Sequence, residues 1–214
     1  MDVRSAAAAL PLAAAGLALT LYAAVSQGLL PGELAFARWL QDTPGGDTFE
    51  KLAAWTHALR YPLLVAGALF ALRLRRMDLV AAAALVVLAL ALNPLLKELV
   101  SRERPLPTEL TLREFAGSNG YPSGHVHSVV LLFGYAAVVA AAGLPRAWSA
   151  LAAVLCVAAI AFVGWERVYD GAHWPSDVIG SVAIGGAVLF ATVAVAPALV
   201  SLGPASAPSS ASRA

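Results

Sequence analysis

Charge is what this chain has least of. Lys, Arg, Asp and Glu together make up 13% of 214 residues, where a soluble globular domain carries roughly 25%. The net charge of +1 excludes a partner such as nucleic acid, since a phosphate-backbone binder needs a large basic surplus. A single cysteine, Cys156, excludes an internal disulfide and any cysteine-based metal site. It stands inside an apolar run and reads as packing. The polar loops hold no acidic cluster resembling a metal cage, so no metal and no cofactor are expected. What fills the chain instead is Ala, Leu and Val in long blocks: 60% of residues are hydrophobic and the mean hydropathy is +0.76. The 17 Gly and 13 Pro fit as well, both being commoner in membrane helices than in soluble ones. The solvent of this chain is mostly lipid.

A hydrocarbon core about 30 Å thick takes about 20 apolar residues of helix. Six runs approach that length, near Ala6 to Val25, Tyr61 to Leu72, Leu79 to Leu96, Val126 to Leu144, Ala147 to Trp165 and Val178 to Leu202. The second is short and extends toward Leu52. The first is too long for a signal-peptide core and is followed by five more, so it reads as an anchor. The predicted fold class is all-α, a six-transmembrane helix bundle with short interfacial helices in the first outer loop. One membrane-embedded domain covers residues 1–202, and the Ser, Ala and Pro tail 203–214 reads as disordered.

Arg and Lys in short loops set orientation. Arg73, Arg75, Arg76 and Arg146, with Arg4 and Arg213 at the ends, all fall on one side, which places both termini in the cytoplasm. Trp39, Trp55, Trp165 and Trp174 then form an outer interfacial belt and Trp148 marks the inner one. In the loop Gly28 to Arg60, Glu33 to Gln41 and Phe49 to Leu59 mix apolar and charged residues at helical spacing and read as helices lying on the membrane surface. Asp47 with Glu50 is close to a capping-box pattern.

Three polar clusters remain, each at the outer end of a span, where charge usually marks function. In the first, Lys97 and Arg104 lie seven residues apart and would share a helix face if the third span continued for two more turns, with Pro105 ending it. The second is Tyr121-Pro122-Ser123-Gly124-His125, where free N–H groups at a helix start favour an anion. The third runs from Arg167 through His173 to Asp177. Taken alone, the cations could be snorkelling anchors, His125 a cap, and His173 with Asp177 a structural contact. Their convergence at one end of a bundle makes coincidence the weaker account.

The pattern Lys-x6-Arg-Pro, then Pro-Ser-Gly-His, then Arg-x5-His-x3-Asp resembles the three-part signature of the phosphatidic acid phosphatase type 2 superfamily, which also includes vanadium-dependent haloperoxidases. The resemblance covers about Leu52 to Gly186 (residues 52–186). It implies that His173 attacks phosphorus and becomes phosphorylated, that Asp177 orients it, and that His125 protonates the leaving group. Lys97, Arg104 and Arg167, with the backbone at Ser123 and Gly124, would hold the phosphoryl oxygens. One position departs: Glu166 stands where members commonly have Ser, and a carboxylate facing phosphate would repel it, so Glu166 is expected to point away. His57 is read as an interfacial residue and His127 as structural.

The expected function is an integral membrane phosphatase of the plasma (inner) membrane, its site on the extracytoplasmic side. The substrate would be a lipid phosphate or diphosphate: isoprenoid diphosphate, phosphatidate or phosphatidylglycerophosphate. The bilayer is the implied environment, and no obligatory protein partner is evident. A lipid phosphotransferase would use the same site with another acceptor. A vanadate-dependent haloperoxidase fits less well, since those relatives are soluble, and a transporter lacks the mid-span charge of a midplane site.

Overall fold

The computed structural model describes residues 3–43, 46–114, 117 and 119–202, with backbone alone for residues 3–9 and 46–53. The predicted tail 203–214, Arg213 and the Asp47–Glu50 side-chain pattern lie outside the described residues and side chains. The elements are helical throughout: α1 (Val3–Ser26), α2 (Glu33–Gln41), α3 (Gly46–Arg73), α4 (Met77–Leu90), α5 (Leu92–Val100), α6 (Gly124–Gly143), α7 (Arg146–Tyr169) and α8 (Pro175–Ser201). No strand occurs among the described residues, and the one isolated bridge pairs Glu103 with Asn119.

Helix α6 runs through the middle, packed by α3, α4, α7 and α8, while α8 carries α1 and α4 on its other sides. Its side chains Val126, Val129, Leu131, Leu132 and Tyr135 are fully buried. The Tyr135 hydroxyl donates to the Leu79 carbonyl at 3.0 Å, which satisfies a phenol that would otherwise be costly in an apolar core. The outward faces are apolar too: Leu88 is 69% exposed and Leu99 79%. A helix that is hydrophobic all round belongs in lipid. Among the described residues four helices are long and apolar enough to cross a membrane: α6, α7, α8, and α4 with α5 taken together as Met77–Val100. The apolar stretch of α1 that counts toward a span, Leu10–Ser26, is shorter, and α3 carries Arg60 and other polar residues in its first half.

Three sequence expectations change. Phe49 to Leu59 is no separate surface helix but the first half of α3, continuous through Pro62 to Arg73, because no Gly or Asn interrupts it where the polar half meets the apolar half. The third span breaks at Ala91. Pro94 has no N–H to donate to the Leu90 carbonyl four residues back, so the regular helix lapses at Ala91, which keeps helical angles, and resumes as α5. It stops at Val100, where Ser101 turns left-handed at φ 49°. Arg104 is therefore not one face of a helix with Lys97, and Pro105 does not terminate it. Residues 102–104 run on as an extended segment, held where Gly120 N–H donates to the Arg102 carbonyl at 2.7 Å. Trp174 leaves the predicted belt as well. It is buried with Ala37, Leu40, Leu110, Val168 and Tyr169 beneath α2.

Candidate active site

Three chain turns deliver the polar clusters to one end of the bundle. At the end of α7 the carbonyl of Arg167 accepts from the N–H groups of Ala172 and His173, and Gly171 sits at φ +68°. A Cβ there would meet the Thr111 carbonyl oxygen at 2.6 Å, so glycine alone makes the turn that swings His173 inward. The chain then starts α8 with Trp174 as N-cap and Pro175 at the first helical position, where proline's missing donor costs nothing. Asp177, in the third position, accepts the Trp174 N–H on Oδ2 at 3.0 Å. That reach-back is why the spacing His-x3-Asp works: the carboxylate that caps the helix also lies 3.5 Å from His173 Nδ1.

His173 is 2% exposed. Burial pulls its imidazole down to about 4, opposed by Asp177 and reinforced by the nearby cations Arg104 and Lys97, so the ring is neutral at pH 7. Arg104 Nη1 lies 3.1 Å from Nε2. Because a guanidinium can only donate, Nε2 accepts and the ring proton belongs on Nδ1, facing Asp177. Nε2 is thus the unprotonated nitrogen, its lone pair turned to Arg104.

A cavity beside this ring encloses about 350 Å³ and is bordered by Arg60, Lys97, Arg104, Gly124, His125 and His173, among others. Lys97 reaches it from the last turn of α5 and donates to the Asn119 carbonyl at 2.9 Å. Arg104 also donates to the Ala172 carbonyl at 2.5 Å. No carboxylate of a described residue lies within 4.0 Å of either cation. Gly124 opens α6, and a Cβ on it would strike Asn93 Oδ1 at 2.9 Å; that side chain is needed where it is, since its amide donates to the Pro122 carbonyl. Ser123 caps α6 from a fully buried position, and its Oγ has no partner among the described residues.

Of the eight residues expected at the site, Lys97, Arg104, Gly124, His125 and His173 border the cavity; Asp177 and Ser123 stand directly behind it. Arg167 does not border it. Its guanidinium is taken up by Glu166, Glu114 and Asp170, so at least four of its five N–H donors are committed. Glu166 accordingly does not point away. It is 4% exposed and grips Arg167 with both oxygens, because a buried carboxylate next to a guanidinium gains more from that pairing than from any route to water. Nor is His57 interfacial: its ring packs edge-on against His125 at 4.6 Å and its Nε2 lies 3.6 Å from Glu166. The continuity of α3 carries it there. His127 is fully buried against Gly185 of α8 and also borders the cavity.

Sequence reasoning missed Arg102. It is 1% exposed and donates to Asp177 Oδ1 at 2.6 Å, Ser176 Oγ at 2.6 Å and the Gly28 carbonyl at 2.8 Å, with Glu33 of α2 at 3.5 Å. Glu33 in turn accepts the Ser176 N–H at 2.6 Å. The available signal was a fourth cation between Lys97 and Arg104. Among the described residues no group of three or more His, Cys, Asp or Glu is placed to hold a metal ion.

A family model described as the PAP2 superfamily matches residues 78–201. Among solved structures, the fold is similar to one titled as the crystal structure of the first transmembrane PAP2 type phosphatidylglycerolphosphate phosphatase from Bacillus subtilis. The TM-score is 0.66 at 22% identity, covering 83% of this chain and 93% of that one. No curated protein matches the chain. The matched segment spans more than half of the sequence and contains every residue from Lys97 to Asp177, and the chain belongs to the PAP2 superfamily as a multi-pass membrane protein.

Proposed function

We propose that the protein is a metal-independent lipid phosphate phosphatase working through a phosphohistidine, with His173 as nucleophile. One observation carries the reading: a neutral, buried His173, its Nε2 unprotonated, borders a cavity in which Lys97 and Arg104 have no carboxylate within 4.0 Å among the described residues. An anion is what such a cavity lacks. Nε2 attacks phosphorus, and Asp177 stabilises the imidazolium that develops as Nδ1 keeps its proton. Lys97, Arg104, Ser123 and the first N–H groups of α6 hold the phosphoryl oxygens as charge builds up. His125, across the site from its neighbour His57, gives its proton to the leaving oxygen. Water then cleaves the phosphohistidine.

Arg167 joins the phosphoryl group when Glu114, whose side chain is 45% exposed, lets go of it. The six apolar runs all span, with α1 and the second half of α3 as the two that fall short in length. Both termini face the cytoplasm and the site opens at the outer leaflet of the plasma (inner) membrane, where a lipid keeps its tail in the bilayer as its head enters.

The test is phosphate release by the purified protein from a panel of lipid monophosphates and diphosphates in excess EDTA, alongside His173→Ala. Turnover by the wild type and its loss in His173→Ala, with a phosphohistidine trapped by rapid acid-free quenching of the wild type and missing from His173→Ala, is the expected result. Turnover in His173→Ala near the wild-type rate, or turnover that EDTA abolishes and Mg²⁺ restores, would remove the proposal.

A further inference from the structure

We infer that the substrate class is a lipid diphosphate, with Arg60 holding the second phosphate; this rests on the phosphatase reading above. Arg60 belongs to none of the three signature clusters, yet its side chain borders the same cavity as Lys97, Arg104 and His173. Its Nη1 donates to Ser128 Oγ at 3.0 Å, and that hydroxyl donates to the His125 carbonyl at 2.9 Å. The guanidinium is thereby tethered to the turn of α6 that carries His125. It also lies over the Tyr61 ring, at 5.0 Å. Its Nε is buried without a partner among the described residues. No carboxylate of a described residue lies within 4.0 Å of it. A half-buried guanidinium whose hydrogen-bond partner is a neutral hydroxyl, with its Nε shut off from water, is left with charge that an arriving anion can meet. A snorkelling anchor would direct its head group outward to water instead.

The cavity is thus bordered by Arg60 beside the turn that carries His125, and by Lys97 and Arg104 near His173. Arg104 stands at the nucleophile, 3.1 Å from His173 Nε2, and Arg60 stands by the acid, His125. In an in-line displacement the leaving group departs from the side opposite the nucleophile, which is where the acid must be. When a monophosphate ester of an uncharged alcohol reacts, as with phosphatidate, the leaving group is neutral once protonated and asks for no cation there; the leaving group of phosphatidylglycerophosphate carries a single phosphodiester charge, three carbons away from the bond that breaks. When a diphosphate reacts, the leaving group is itself a phosphate monoester with about 1.5 to 2 negative charges at pH 7. The diphosphate alone puts its charge on the phosphate joined to the breaking bond, beside His125, where Arg60 stands.

The step balances as follows. His173 Nε2 forms a bond to the terminal phosphorus, and the bond from that phosphorus to the bridging oxygen breaks. The bridging oxygen keeps the electron pair and takes the proton of His125, so a lipid monophosphate leaves. Water then adds its hydroxyl to the phosphoryl group, returns its proton to His125 and frees inorganic phosphate and His173.

The experiment compares kcat/KM for farnesyl diphosphate and farnesyl monophosphate in the purified wild type, Arg60→Gln and Arg60→Lys, with inhibition by methylenediphosphonate and by inorganic phosphate. The expected wild-type preference for the diphosphate is at least roughly tenfold, and Arg60→Gln lowers the diphosphate value at least roughly tenfold further than the monophosphate value. Arg60→Lys recovers most of that ratio. Should Arg60→Gln fail to fold, the wild type alone decides, since methylenediphosphonate should inhibit roughly tenfold more tightly than phosphate. Equal losses on both substrates, a wild-type preference for the monophosphate, or equal inhibition by the two anions would each overturn the diphosphate assignment while leaving a phosphatase. Failure of the wild type to release phosphate from these two substrates or from any lipid of the panel above would instead sink the phosphatase reading, and this inference with it.

Discussion

Two pairs of cations share the outer end of this bundle and are treated in opposite ways. Arg102 and Arg167 are at most 4% exposed and enclosed by carboxylates, Glu33 and Asp177 for the one, Glu166, Glu114 and Asp170 for the other. Lys97 and Arg104 border the cavity and meet only carbonyl oxygens and an imidazole. The first pair is neutralised as the side chains stand, Arg102 fully within the fold and Arg167 behind the half-exposed Glu114, so neither charge is open to a ligand in this arrangement. The second is left short of negative charge, so its charge is available to a ligand. A count of basic residues in the signature cannot tell these apart; the placement of five acids does.

The sharpest way to break that division is Arg102→Ala. It strands Asp177 and Glu33 in buried positions, and removing one partner of such a pair costs about 3 to 5 kcal/mol. A large drop in the thermal midpoint of the detergent-solubilised protein is expected, and a midpoint equal to the wild type's would show that Arg102 belongs with the ligand-binding pair. Arg104→Ala is expected to do the reverse. Its midpoint stays near the wild type's while kcat/KM falls by about 2 to 3 kcal/mol, roughly one to two decades.

The same variant carries a pH signature. Arg104 is among the cations that hold His173 near 4, so its removal favours the imidazolium and raises that value toward the ordinary 6.5. The acid limb of kcat/KM should move to higher pH. A limb that stays in place would separate Arg104 from the nucleophile. The smallest effect expected is that of Glu114→Gln, which loosens the one half-exposed carboxylate on Arg167. Exposed pairs are worth about 0.2 to 1 kcal/mol, and a KM lower by at most a few fold would mark Glu114 as a competitor of the substrate phosphate. A higher KM would place it on the substrate's side.

Much of the site was readable because its geometry is local. Trp174-Pro175-Ser176-Asp177 is a helix start by chemistry alone, and once it is one, His173 must sit at its mouth. Ser123-Gly124 opens α6 for the same kind of reason. What could not be read are the pairings across elements. Glu166 and Arg167 are neighbours in sequence, but whether they face each other or the ligand depends on Glu114 and Asp170 closing over them. Arg60 and His57 looked like surface residues because the polar half of α3 resembles an interfacial helix, and only the unbroken run to Arg73 turns them toward His125. Arg102 looked like one more charge in a charged stretch. Its near-complete burial is a property of α2 and α8 meeting over it, which no window of sequence contains.

Glu33 accepts the Ser176 N–H and faces Arg102, which holds Asp177. A short helix in what looks like a dispensable loop thus ties down the start of α8. The loop carrying α2 is for that reason not portable. A chimaera that takes residues 28–43 from a relative inherits a working site only if the donor supplies an acid at position 33, and among related sequences the acid at 33 and the arginine at 102 should be gained and lost together.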